Sequence, residues 1–393
     1  MQNFDLFLKT KIYFGKGKEN EIANILNEYG FKKILIVIGQ GSVKTTGLLD
    51  KIIGYLNAAN IKFQVIEGVR PNPTIEAVKQ GTAFAKIYKP DCLLAIGGGS
   101  VIDTAKCIAC GYYYEDDPFN FNLHIDKPTK ALPVGVILTI AAAGSECSNS
   151  CVIQDDSLNT KSGFNSELIR PLFAIENPEL TFSVSKRQTV NGIIDILMHT
   201  LERYFCESNG YEFADYIAEA LIRSVIDSAY KVIENPTDYE ARATLMLASS
   251  FSHNGLTGVG KPFIMPAHQL EHALSGRYPE VSHGEGLSIL FPAWAKYYLP
   301  YDIDKFNNLA KHVFNINGPS KEENGRAAIE KLEQFFSFLG SATYLEDLNL
   351  PDLNVYELAD LVTRNGTRII GHYKKDMNRD VALAIFNLAK ERA

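Results

Sequence analysis

Leu93-Leu94-Ala95-Ile96-Gly97-Gly98-Gly99-Ser100-Val101-Ile102-Asp103 is the stretch that decides the fold. Its opening is a short, unbroken apolar run, the pattern of a strand buried on both faces. Three glycines follow at once, and behind them an apolar stretch over 101–110 predicts a helix. Glycine lets backbone amides approach a pyrophosphate closely, and a helix start offers free N–H groups and the positive end of its dipole. Three glycines wedged between a strand and a helix therefore point to phosphate binding. They do not form GxGxxG, so the common dinucleotide fingerprint is absent. Upstream, Ile34-Leu35-Ile36-Val37-Ile38-Gly39 is a second such run, leading into Gly39-Gln40-Gly41-Ser42-Val43-Lys44. Strands are also predicted at 63–66 and 134–139, with helical patterns at 48–57 and 74–88 between them. Alternation at this spacing indicates a doubly wound parallel sheet, which binds ligands beyond the carboxyl ends of its strands. Pro71-Asn72-Pro73, after the 63–66 run, reads as a rigid turn.

Beyond about residue 178 the β-branched runs stop. Helical patterns take over at 185–206, 213–234, 239–253, 265–274 and 321–338. The expected organisation is an α/β amino-terminal domain over 1–183 that binds a dinucleotide, and an all-α carboxy-terminal domain over 184–393. A chain of 393 residues exceeds one ordinary core. With 46% hydrophobic and 22% charged residues, its balance is that of a globular protein. No apolar run reaches the roughly 18 residues of a membrane span, and Met1-Gln2-Asn3-Phe4-Asp5 lacks the basic start of a signal peptide. The expectation is a cytoplasmic protein without a membrane partner. A net charge of −7 argues against nucleic acid, which needs a basic face. Of the cysteines, Cys107, Cys110, Cys147 and Cys151 have spacings that could be assembled into a zinc site. Cys107 and Cys110 lie in an apolar helical stretch, however, and read better as small core residues.

The helical half carries a second pattern. Asp195 and His199 are four apart in a helical stretch, so they share one face and can grip one ion. His268 and His272 repeat that spacing, and His283-Gly284 follows. A single i, i+4 histidine pair is ordinarily a surface or a satisfied core feature. Two pairs, with Asp195 set between Ile194 and Ile196, are harder to dismiss, because a bare carboxylate there is costly to bury unless paired or metal-bound. An Asp and three His from this set supply enough oxygen and nitrogen for Fe²⁺ or Zn²⁺ with room for substrate. His124, His253, His312 and His372 have no partner in sequence, and His312 and His372 read as surface residues.

Taken in order, these segments resemble the iron-containing alcohol dehydrogenases, the group that includes the butanol dehydrogenases. The resemblance runs over Phe14-Gly15-Lys16-Gly17, Gly41-Ser42-Val43-Lys44, Pro71-Asn72-Pro73, the glycine stretch through Lys106, Gly144-Ser145-Glu146, Asp195 to His199, His268 to His272 and His283-Gly284. It implies one divalent metal, Fe²⁺ or Zn²⁺, held by Asp195, His199, His268 and His283. His272 would lie beside the site and relay a proton as the catalytic residue. Gly39, Gly41, Ser42, Asn72, Gly97, Gly98, Gly99, Ser100, Asp103, Thr139 and Lys161 match cofactor-contacting positions. Ser42 and Lys44 stand where an acid would bind the ribose hydroxyls of NAD, so the sequence favours NADP(H) over NAD(H). The implied reaction moves hydride between NADP(H) and a small primary alcohol or aldehyde, in a homodimer. Glycerol dehydrogenase-like polyol oxidation is an alternative. A lyase of the dehydroquinate synthase type is another, but 255–283 offers only Lys261 and Arg277 as basic residues for a phosphorylated substrate. Ala141 and Ala143 replace a frequent proline and threonine of that family.

Overall fold

The continuous apolar runs become the middle of a sheet. In the computed structural model, which describes all residues except 1, 2, 159, 207–209, 211, 263 and 393, β1 (Lys11–Phe14), β2 (Lys33–Gly39), β3 (Lys62–Val69), β4 (Cys92–Gly97), β5 (Val134–Leu138) and β8 (Phe173–Glu176) pair in the order β1-β8-β5-β4-β2-β3. Every pairing is parallel. β4 and β5 are buried along their whole length, whereas β3 alternates and takes the edge. Successive side chains of a strand face opposite ways. Ile34, Ile36 and Ile38 therefore pack into the core on one face with Leu94 and Ile96, and Leu35 and Val37 on the other with Leu93 and Ala95. β6 (Ser150–Asp155) and β7 (Thr160–Asn165) form a separate antiparallel hairpin. The sequence patterns predicted β2 to β5 and missed the rest: β1 and β8 are four residues each, too short for a period to show, and the hairpin mixes polar and apolar residues without a long apolar run.

The chain divides into two compact units. One comprises Phe7–Ser185 together with Asn235–Asn254; the other comprises Met1–Leu6, Lys186–Glu234 and Gly255–Ala393. The Tyr239–His253 helix thus groups with the sheet, and the Ser249 and Ser250 hydroxyls on it donate to the buried Glu146 carboxylate at 3.1 and 2.8 Å. In the helical unit the Lys186–Tyr204 helix is central: from Thr189 onward all but Asn191 are buried. A helix buried all round belongs to a core rather than a surface. It packs against the helices Glu212–Glu234 and His283–Tyr298, and the latter packs against Pro266–Arg277. The sequence patterns did not predict His283–Tyr298, Ile303–Phe314, Val355–Thr363 or Arg379–Lys390. His372 is not a surface residue: it is buried beside Trp294 and Tyr298, and burial pushes its imidazole down to about 4. All six cysteines are buried free thiols.

Close helix contact explains one glycine. A Cβ on Gly284 would lie 2.4 Å from the carbonyl oxygen of Asn191, on the central helix. Gly284→Ala is expected to destabilise the protein by about 1–3 kcal/mol through overpacking. Gly54→Ala, in an exposed helix interior with nothing within 4 Å of the added carbon, is expected to stabilise it by about 0.5–1 kcal/mol. Denaturant melts of the two variants check both signs.

Candidate functional site

Asp195 and His199 leave the central helix one turn apart on the same face. The Pro266–Arg277 helix presents His268, Glu271 and His272, and His283 opens the next helix. The helix packing gathers these side chains. The ligand atoms of Asp195, His199 and His268 lie within 4.8 Å of one another, and all three residues are buried. His268 Nε2 is 3.7 Å and His283 Nε2 3.6 Å from Asp195 Oδ1. The His199 and His268 ring centroids are 4.4 Å apart, and those of His268 and His283 5.2 Å. All three histidines expected as ligands therefore approach Asp195 Oδ1. His272 stands beside it, its ring 6.4 Å from that of His268 and 5.8 Å from that of His283.

Burial alone would raise the Asp195 pKa, but the His199 and His283 imidazoles hold it well below the usual carboxylate range. Burial pushes His199 down to about 4. Burial acts on His268 in the same direction, but the Glu202 and Asp195 carboxylates override it and lift the imidazole to about 9. Two atoms at the centre, Asp195 Oδ1 and His268 Nε2, are buried without a well-aligned hydrogen bond, although His199 Nδ1 lies 2.9 Å from the former. An orphaned buried polar atom costs about 1–3 kcal/mol. A divalent cation would satisfy both at once, and one carboxylate with imidazoles is a donor set that suits Fe²⁺ or Zn²⁺. The residues fit such an ion.

The sheet unit places several of the expected cofactor residues along one edge. Gly39 ends β2, Gly97 ends β4, and Thr139 follows β5, its amide donating to the Gly97 carbonyl at 3.1 Å. These three strands are neighbours, so the positions line the carboxyl edge. Gly41 and Ser42 start a short helix just past β2. A Cβ on Gly97 would come within 2.6 Å of Val101, and one on Gly98 within 2.3 Å of Ile140, whereas Gly99 would meet nothing closer than 3.5 Å. The first two glycines serve tight packing. The third, before Ser100 at the start of the Gly99–Gly111 helix, would place a Cβ in ordinary contact with Ala143 at 3.5 Å. Asn72 sits in the left-handed region with φ 53°. The next residue, Pro73, accepts from the Gln154 amide, and Gln154 pairs across the hairpin with Lys161. The Asp103 carboxylate is engaged by the protein itself, accepting from Ser145 Oγ at 2.6 Å and the Val152 amide at 2.9 Å.

Sequence reasoning missed three things here. Lys106 is fully buried and donates to Ser145 Oγ and to the carbonyls of Ser148 and Ser150, bracing the same segment as Asp103; an ionic i, i+3 pair inside an apolar helix was its signal. Glu202 and Glu271 back the histidine cluster. Glu67, on β3, forms an ion pair with Lys44, so an acid does reach the Gly41–Lys44 turn, from the neighbouring strand.

The model of the iron-containing alcohol dehydrogenases matches residues 9–178, and that of the carboxy-terminal part of the Fe-containing alcohol dehydrogenase family matches 189–389. The chain belongs to this family. It is 39% identical to the NADH-dependent butanol dehydrogenase A of Clostridium acetobutylicum, over 98% of this chain and 99% of that one. It is 33% identical to the NADPH-dependent aldehyde reductase YqhD of Escherichia coli, over 99% and 100%. The crystal structure of NADH-dependent butanol dehydrogenase A from Thermotoga maritima superposes with a TM-score of 0.95 at 33% identity, covering 100% of this chain and 99% of that one.

Chelator-stripped protein reconstituted with Zn²⁺ should hold about one ion per chain by elemental analysis, as a single mononuclear site requires. Asp195→Ala and His268→Ala should hold none, and His272→Ala should match the wild type. Metal loss in His272→Ala would make that residue a ligand.

Proposed function

We propose that the protein transfers hydride between NADP(H) and a small primary alcohol or aldehyde, with a divalent metal held by Asp195, His199, His268 and His283. The reading includes a nucleotide-binding domain over 1–183, a metal-binding helical domain over 184–393 whose Tyr239–His253 helix groups with the sheet, and a cytoplasmic homodimer. The pair of buried atoms without a well-aligned hydrogen bond, Asp195 Oδ1 and His268 Nε2, carries it. No described helix is long and apolar enough to cross a membrane. The relatives' names place aldehydes and short alcohols among the substrates to try first.

A divalent ion at this centre supplies Lewis acidity toward the substrate oxygen. A bound nicotinamide gives or takes the hydride. The chain's part is to bind, orient and move the proton. The carboxyl edge of β2, β4 and β5, with the amides at the start of the Gly99–Gly111 helix, receives the pyrophosphate. His272, at the side of the ligand cluster, exchanges the substrate hydroxyl proton with solvent. The lyase alternative finds no support in the basic residues of 255–283, because Lys261 is held by Asp215 and two carbonyls, and Arg277 by Glu357.

Chelator-stripped protein, kept anaerobic, should oxidise NADPH with butyraldehyde only after Fe²⁺ or Zn²⁺ is added. No oxidation with either ion, with NADPH or NADH, across a panel of short aldehydes would overturn the reading. His272→Ala should lower turnover about a hundredfold, the lower end of a general acid–base contribution.

The preference for NADP(H) rests on Lys44, whose ammonium suits a 2′-phosphate. Glu67 pairs with that ammonium and must give way to the phosphate. Steady-state kcat/KM with each cofactor should show Lys44→Met lowering the NADPH to NADH ratio several-fold and Glu67→Gln raising it. Unchanged ratios in both would remove this pair from cofactor choice.

A further inference from the structure

Two carboxylates outside the four-ligand set stand directly behind it. Glu202 has no exposed side-chain surface. It follows His199 by three residues on the central helix and therefore shares its face. One of its oxygens accepts from His268 Nδ1, and the other from the backbone amides of Ala267 at 2.6 Å and His268 at 3.4 Å. Glu202 therefore satisfies free amides in the first turn of the Pro266–Arg277 helix while it holds that helix's histidine. Glu271 also has no exposed side-chain surface, and its Oε2 accepts from His283 Nδ1. Room for it is built in: a Cβ on Gly286 would lie 2.9 Å from Glu271 Cγ.

A neutral imidazole that donates from Nδ1 keeps its lone pair on Nε2, and a cation at the centre would displace any second proton. Here the two Nε2 atoms so specified, on His268 and His283, both face Asp195 Oδ1. His199 Nδ1 lies 2.9 Å from the Asp195 carbonyl oxygen and 2.9 Å from Asp195 Oδ1 itself. Glu202 and Glu271 bring further negative charge. Each buried carboxylate is expensive to desolvate unless a positive partner answers it, and these two lie one imidazole away from the point where a cation would sit.

On the metal-centre reading above, we propose that Glu202 and Glu271 are positioning residues for the metal: they fix the tautomer and rotation of His268 and His283 and bring two negative charges that raise the centre's affinity for a divalent ion. Neither touches substrate or cofactor in this role. Removing one such carboxylate behind a ligating histidine typically weakens metal binding about 10–100-fold.

The test titrates chelator-stripped wild type, Glu202→Gln and Glu271→Gln with Zn²⁺ against a chromophoric competitor. Glutamine keeps the size and a hydrogen-bond acceptor but removes the charge. The expected result is Zn²⁺ affinity about 10–100-fold weaker in each variant, a shifted d–d absorption when Co²⁺ replaces Zn²⁺, and little change in the melting of the metal-free proteins. Glu202→Asp, which restores the charge, should recover part of the lost affinity. Unchanged Zn²⁺ affinity and an unchanged Co²⁺ spectrum in folded Glu202→Gln and Glu271→Gln would overturn the proposal while leaving the centre standing. Should Glu202→Gln fail to fold through loss of its bonds to the Ala267 and His268 amides, Glu271→Gln decides alone. A wild type that binds no Zn²⁺ would overturn both the centre and the roles of these residues.

Discussion

A carboxylate enclosed by imidazoles needs a positive charge at its centre, and the helical unit is arranged around that need. Asp195 is 5% exposed and sits in the most buried helix of the unit. Desolvating a carboxylate costs several kcal/mol unless opposite charge and hydrogen bonds offset it. The histidines that answer it come from three different helices, so the helices must approach closely and in one register. Gly284 lets the helix that begins at His283 approach the backbone at Asn191, and Gly286 admits Glu271 behind His283. Charge set in layers follows: a carboxylate at the centre, imidazoles around it, and two more carboxylates behind two of them.

The sheet unit answers a different constraint, the close approach of backbone to a phosphate-bearing ligand. Its solution is spatial rather than electrostatic. Gly97 and Gly98 let the strand end and the following helix pack without side chains. The segment that faces them is not left loose: Asp103 and Lys106, both on that helix, hold 145–152 through Ser145 and backbone groups. A buried lysine, its pKa lowered by burial, is balanced here by the Asp103 carboxylate nearby.

How much of this could be read beforehand depended on whether a signal was local. The 93–103 stretch was legible because strand, glycines and helix are adjacent. Asp195 and His199 were legible because the helical period places them on one face. His268 and His272 have that same spacing, so spacing could not say which one points inward; the helix packing turns His268 Nε2 to Asp195 and leaves His272 aside. Glu202 and Glu271 look like any charged residues on amphipathic helices, and only the tertiary fold reveals that both are wholly buried. Glu67 was missed for the same reason, since its meeting with Lys44 is made by two neighbouring parallel strands. His372, isolated in sequence, was assigned to the surface because nothing local marks the aromatic pocket of Trp294 and Tyr298 that encloses it.

The most direct measurement is anomalous diffraction at the zinc absorption edge from crystals of the protein grown with Zn²⁺. A metal-held centre predicts one strong peak about 2.0–2.2 Å from an Asp195 carboxylate oxygen and from one ring nitrogen each of His199, His268 and His283. Density there without an anomalous peak, with Asp195 hydrogen-bonded to the imidazoles instead, would contradict it.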